Sequence, residues 1–134
     1  MGRLKAAPPI GYDSGSMNRA SEPWYVAEGQ RGEQLLDQGQ VEPARAVFED
    51  MLARLGSHAT YPRAVVLGRL ARCWQTVQRV DVAVRYLREA LGVTAVLPPS
   101  DGVKALRGTL RSDLGDALRA RGSTARHARP TRRR

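Results

Sequence analysis

Apolar residues recur at steps of three and four in four successive stretches of the chain, a helix-start signature marks a fifth element ahead of them, and no stretch needs a strand to explain it. The signature is Ser21, Glu22 and Pro23, a capping hydroxyl followed by an acid and a first-turn proline. It predicts a helix over about 22–38 that Gly39 stops. Pro43 suits the first turn of a second helix, whose stripe is Ala44, Val47, Phe48, Met51, Leu52 and Leu55, with Gly56 as terminator and Ser57 to Pro62 as loop. A third helix, about 63–78, aligns Val66, Leu67, Leu70, Ala71, Trp74 and Val77. A fourth, about 81–92, is capped by Asp81, carries Ala83, Val84, Leu87, Ala90 and Leu91, and ends at Gly92 and Pro98-Pro99. Ser100 and Asp101 offer caps for a fifth, to about Arg121, with Val103, Leu106, Leu110, Leu114, Ala117 and Leu118 in line; Gly122 closes the regular part.

The helix pairs repeat. Gly32-x2-Leu35-x3-Gly39-x4-Ala44-x3-Phe48 returns 39 residues later as Ala71-x2-Trp74-x3-Gln78-x4-Ala83-x3-Leu87, and its first half returns again as Leu114-Gly115-x2-Leu118-x3-Gly122. Small residues at 32, 71 and 115 would let a neighbouring helix approach, and Leu35, Trp74 and Leu118 would fill the space beside them. Ala44 and Ala83, each one turn before Phe48 or Leu87, play the same part in the second helices.

Over residues 25–122 this pattern resembles the tetratricopeptide repeat, a helical-hairpin unit of about 34 residues with L-G-x2-Y in its first helix and A-x3-F in its second. The resemblance implies an all-α fold of antiparallel hairpins stacked as a short, right-handed α-solenoid of about two and a half repeats. It departs where the first-helix tryptophan position falls on Glu28, Leu67 and Arg111. It also implies a protein-interaction module, an adaptor or assembly factor whose first helices line a concave groove for a peptide or helix of a partner protein. Carried over by position, the groove would comprise Gly29, Glu33, Leu36 and Asp37, then Gly68, Arg72, Gln75 and Thr76, then Thr109, Ser112, Asp116 and Arg119. The lysine- and asparagine-rich clamp that one class of the family uses to hold a C-terminal carboxylate would fall on Gly29, Glu33, Arg69, Thr109 and Asp113, four of which lack the side chain required. Glu33, Asp37 and Asp116 favour a basic or amphipathic segment instead.

Charge adds a second theme. The chain of 134 residues has 22 Lys and Arg against 13 Asp and Glu, but seven of the arginines and none of the acids lie between Arg119 and Arg134. The body is therefore near neutral, and the expected organisation is an N-terminal arm (1–21), a helical domain (22–122) and an arginine-rich tail (123–134), both ends disordered or extended. A nucleic-acid-associated subunit is the alternative function, with Arg126, Arg129, Arg132, Arg133 and Arg134 as phosphate contacts. The tail could also fold back onto the groove acids. A bare apolar face on the last helix would call for a second copy, giving a homo-oligomer.

Catalytic chemistry finds little purchase. His58 and His127 are isolated, Cys73 sits in an apolar stripe beside Trp74, and neither a phosphate-cradling glycine loop nor a nucleophile elbow occurs, so no enzyme, cofactor or metal is expected. Trp24, Trp74, Tyr86 and Phe48 read as packing residues. The longest apolar stretch, Leu91 to Pro99, is far below the ~20 residues of a membrane span, and a cytoplasmic location is the expectation.

Overall fold

The computed structural model describes residues 23–128, with side chains as far as Ser123. They form α1 (Trp24–Asp37), α2 (Val41–Leu55), α3 (Tyr61–Thr76), α4 (Val80–Ala95) and α5 (Asp101–Ala128), with no strand among the described residues. No helix among them is long and apolar enough to cross a membrane.

The starts of the helices show which local signals act. Pro23 occupies the cap position of α1 without a side-chain cap, and Ser21 and Glu22 lie outside the described residues. Helix α3 begins at Tyr61, ahead of the spacing-based start at 63, because Thr60 Oγ1 accepts the Arg63 amide at 3.3 Å and Pro62 fits the first turn. Asp81 does not cap α4: Arg79 holds that position, and the Asp81 carboxylate sits in the first turn, 3.6 Å from the Arg79 guanidinium. Ser100 does cap α5, its Oγ accepting the Val103 amide at 3.1 Å.

Two glycines fail as terminators. Helix α4 passes through Gly92 to Ala95, and α5 passes through Gly122 to Ala128, so six residues assigned to the tail are helical in backbone. A glycine ends a helix when its backbone turns left-handed; one that stays helical costs only about 1 kcal/mol. Gly39 and Gly56 do turn, with φ of +79° and +76°.

The repeat spacing is visible in the turns. After α1, the Gly39 amide donates to Leu36 O and the Gln40 amide to Leu35 O; after α3, Gln78 donates to Gln75 O and Arg79 to Trp74 O, the paired distances being 3.0 and 2.8 Å in both turns. Gln78 adopts φ +69°, the one non-glycine among the described residues in that region. The same six-residue C-terminal turn thus recurs at the 39-residue offset seen in the sequence.

Each helix packs on the next, and in addition α1 touches α3 and α3 touches α5, so the odd-numbered helices form one layer of the stack. Two apolar clusters hold it. Ala44, Val47, Phe48 and Met51 from α2 meet Val66, Leu70 and Cys73 of α3, while Leu67 and Ala71 on the other side of α3 meet Ala83, Val84, Leu87 and Ala90 of α4 and Leu110 and Ala117 of α5. Of the small residues the repeat singles out, Gly32, Ala44, Ala71 and Ala83 are buried as expected, and a Cβ on Gly32 would lie 2.6 Å from the Phe48 ring. Gly115 is the exception: a Cβ there would meet only the Arg119 guanidinium, 3.6 Å away on the same helix. The tight approach to α5 occurs at Gly68, whose added Cβ would sit 3.0 Å from Leu110 Cδ2.

Among its described side chains the last helix leaves no bare apolar face. Val103, Leu110 and Ala117 are buried, Leu106, Leu114 and Leu118 pack against the second cluster, and the exposed side carries Lys104, Arg111, Ser112, Asp116 and Arg119. The surface from which a second copy was expected is polar. At the α4–α5 corner the buried Thr94 hydroxyl donates to Leu91 O at 2.8 Å and accepts from Arg107 Nη1 at 2.9 Å, pinning the two helices.

Candidate partner-binding groove

Along the layer of odd-numbered helices, positions 61, 65 and 69 of α3 fall one helical turn apart, so Tyr61, Val65 and Arg69 form a ridge. A depression opens on each side of it. Towards α1 lies a cavity of about 230 Å³ walled by Tyr25, Val26, Gly29, Gln30 and Glu33, by the ridge with Pro62 and Val66, and by Phe48 and Met51 from α2 below. Towards α5 lies one of about 380 Å³, bounded by the ridge with Gly68 and Arg72 and by Ala105, Leu106, Thr109, Leu110 and Asp113.

The two halves differ chemically. The α1 side is apolar and aromatic except for Gln30 and the Glu33–Arg69 ion pair, which links α1 to α3. Tyr61 on the ridge is 44% exposed, one of three large apolar side chains that reach solvent among the described residues, with Val77 and Val96. The α5 side carries Arg69, Arg72, Thr109 and Asp113. Burial raises the Asp113 carboxyl above its ordinary range; Arg72 and Arg69 oppose this and Asp116 reinforces it.

Among the residues expected to line a groove, Glu33 and Gly29 border the first cavity and Gly68, Arg72 and Thr109 the second. The lining does not extend along α1 beyond Glu33: Leu36 packs against the cluster that contains Phe48, and Asp37 is exposed. Gln75, Thr76, Ser112, Asp116 and Arg119 lie outside both linings; the Thr76 hydroxyl donates to Arg72 O at 2.8 Å, and Asp116 pairs with Arg119. Two of the three acids credited with attracting a basic segment are thus already paired, Glu33 with Arg69 and Asp116 with Arg119. Arg126 lies in the backbone of α5 beyond the described side chains, and Arg129, Arg132, Arg133 and Arg134 lie outside the described residues.

Tyr25, Val26, Tyr61, Pro62 and Val65 were not reached by repeat arithmetic. A signal was present: Pro23-Trp24-Tyr25 and Tyr61-Pro62 place an aromatic and a proline where successive odd-numbered helices start, and Thr60 ahead of Pro62 marks the earlier start.

Chemistry elsewhere is sparse. Cys73 is buried and its thiol is pushed up by burial, an effect that Arg45 and Arg72 only partly oppose, so it is a packing group. His58 is exposed in the loop, and among the described residues no group of three His, Cys, Asp or Glu side chains converges on a metal position. The Trp24 ring is covered by Arg54 at 3.8 Å and the Trp74 ring by Arg45 at 4.5 Å, so both indoles are occupied within the fold.

No family model and no curated protein matches the chain. Among solved structures it is similar to the second TPR of Spaghetti (RPAP3) bound to HSP90 peptide SRMEEVD, at 20% identity and a TM-score of 0.48, over 84% of this chain and 94% of that one.

Proposed function

We propose that the chain is a protein-interaction module that takes a peptide or helical segment of a partner protein across the face formed by α1, α3 and α5. The observation that carries this reading is the paired depression itself. An apolar, aromatic cavity and a charged one lie side by side and share the ridge of Tyr61, Val65 and Arg69. Apolar anchors supply affinity by leaving water, and fixed charges beside them supply register and selectivity. With Glu33 neutralised by Arg69, the groove attracts its ligand through apolar contact more than through net charge. An adaptor or assembly role fits such a surface.

Selection of peptides from a random display library on the immobilised chain tests the reading. Selected peptides, titrated by fluorescence anisotropy, should bind Tyr61→Ala and Val65→Arg at least about tenfold more weakly than the parent, a loss of about 1.4 kcal/mol. Arg85→Ala on the exposed side of α4 should bind within about twofold of the parent. Equal affinity for all three variants, or a selection that yields no binder, would refute it.

A further inference from the structure

We infer that the partner segment carries a lysine or arginine whose cation pairs with the Asp113 carboxylate, while an apolar side chain of the same segment fills the cavity between α1 and α3. The inference rests on the groove being a docking site, as proposed above, and adds the charge that the groove selects.

The groove has an apolar end and a charged end. An added Cβ on Gly102 would lie 3.8 Å from Tyr61 Cε1, and one on Gly68 3.0 Å from Leu110 Cδ2, so α5 runs beside α3 in the same direction. Steps of four then set three rows side by side: Tyr25, Gly29 and Glu33 on α1, Tyr61, Val65 and Arg69 on α3, and Ala105, Thr109 and Asp113 on α5, each lining one cavity or both. The first level is aromatic and apolar, and the last is Glu33, Arg69 and Asp113. Along α3 the rise from Tyr61 to Arg69 separates these levels by about 12 Å.

At the charged level Arg69 borders both cavities, and its ion pair with Glu33 leaves Asp113 without a partner among the described residues. The described acids that share this lack are Asp37, Asp50 and Asp101, and all three face water, whereas Asp113 is half-buried. Burial outweighs Arg72 and Arg69 and holds the Asp113 carboxyl above its ordinary range, the sign of a charge short of compensation. Arg72 has no ion pair among the described residues either, but it is exposed and keeps its hydration. A ligand's charge therefore gains more against Asp113 than against Arg72, because the carboxylate has already given up part of its water. The gain is in selectivity: Asp113 favours basic segments and turns away acidic ones, while the apolar cavity supplies affinity.

Two peptide display libraries test the charge directly. They share their apolar and neutral residues, but one admits only Lys and Arg as charged residues and the other only Asp and Glu. Both are selected on the immobilised full chain at about 0.15 M salt, and only binders that Tyr61→Ala weakens are kept, which sets aside acidic peptides gathered by the arginines beyond residue 123. These groove binders should come from the Lys and Arg library. In fluorescence anisotropy Asp113→Asn should weaken them about five- to tenfold. Asp50→Asn, on the exposed side of α2, should stay within about twofold of the parent. When the peptide's basic residues are replaced by methionine one at a time, one replacement should cost the parent the same factor and cost Asp113→Asn nothing more. That change leaves the protein untouched, so a folding defect cannot imitate it. Groove binders from the acidic library, equal yields from both, or basic binders indifferent to Asp113→Asn overturn the inference and leave the docking reading standing. No groove binder from either library overturns both.

Discussion

At the scale of single residues, Gly32 and Gln78 have opposite fits to their sites. An alanine in a helix interior is ordinarily better than glycine by about 1 kcal/mol, but at Gly32 its methyl would overlap the wholly buried Phe48 ring. Gly32→Ala should therefore destabilise, by up to about 2 kcal/mol in urea unfolding, once the propensity gain of about 1 kcal/mol offsets part of an overpacking cost of ~1–3 kcal/mol. Gln78 holds a left-handed backbone in the turn where the first hairpin has Gly39. Gln78→Gly should raise stability by ~1 kcal/mol, read from the shift of the same midpoint. Cys73 contributes a pH dependence of definite sign. Because burial raises its folded pKa, its contribution is complete below the unfolded value of about 8.5 and declines as pH rises past it. Urea midpoints at pH 7 and pH 10 for the parent and Cys73→Ala should show a steeper alkaline loss in the parent.

At the scale of elements, periodicity identified α2 to α5, since each stripe reflects a buried face, and a start signature identified α1, whereas the boundaries depended on backbone angles that residue type sets only weakly. Gly39 and Gly56 turned left-handed and ended their helices; Gly92 and Gly122 did not. Nothing in the sequence distinguishes these pairs, because the difference lies in whether the chain beyond can make the reverse turn and pack. Capping was legible at Ser100 but passed over at Thr60, where the hydroxyl precedes α3 just as directly. Ser100→Ala, which removes the cap of α5, should cost ~1 kcal/mol and loosen the α4–α5 corner, visible as faster amide exchange at Val103. The groove was half legible. The 39-residue offset reached Gly29, Glu33, Gly68 and Arg72, whereas Tyr25 and Tyr61 at the helix starts were missed, because an internal motif carries no information about how first turns converge.

At the scale of the molecule, α3 is the member on which cooperativity depends. It gives Val66, Leu70 and Cys73 to one cluster and Leu67 and Ala71 to the other, so neither half can open while the remainder keeps its packing. Phe48→Ala and Leu87→Ala, one in each cluster, should each lower the same single unfolding transition by roughly 2–5 kcal/mol. Trp24 fluorescence, Trp74 fluorescence and far-ultraviolet dichroism should give coincident curves; two separated transitions would show the hairpins to be independent. The water-facing side of α5 has a further consequence for anyone building with this scaffold. Lacking a greasy shoulder there, two copies joined head to tail would find nothing to stack upon, and would tumble like beads on a string rather than lengthen into one continuous rod.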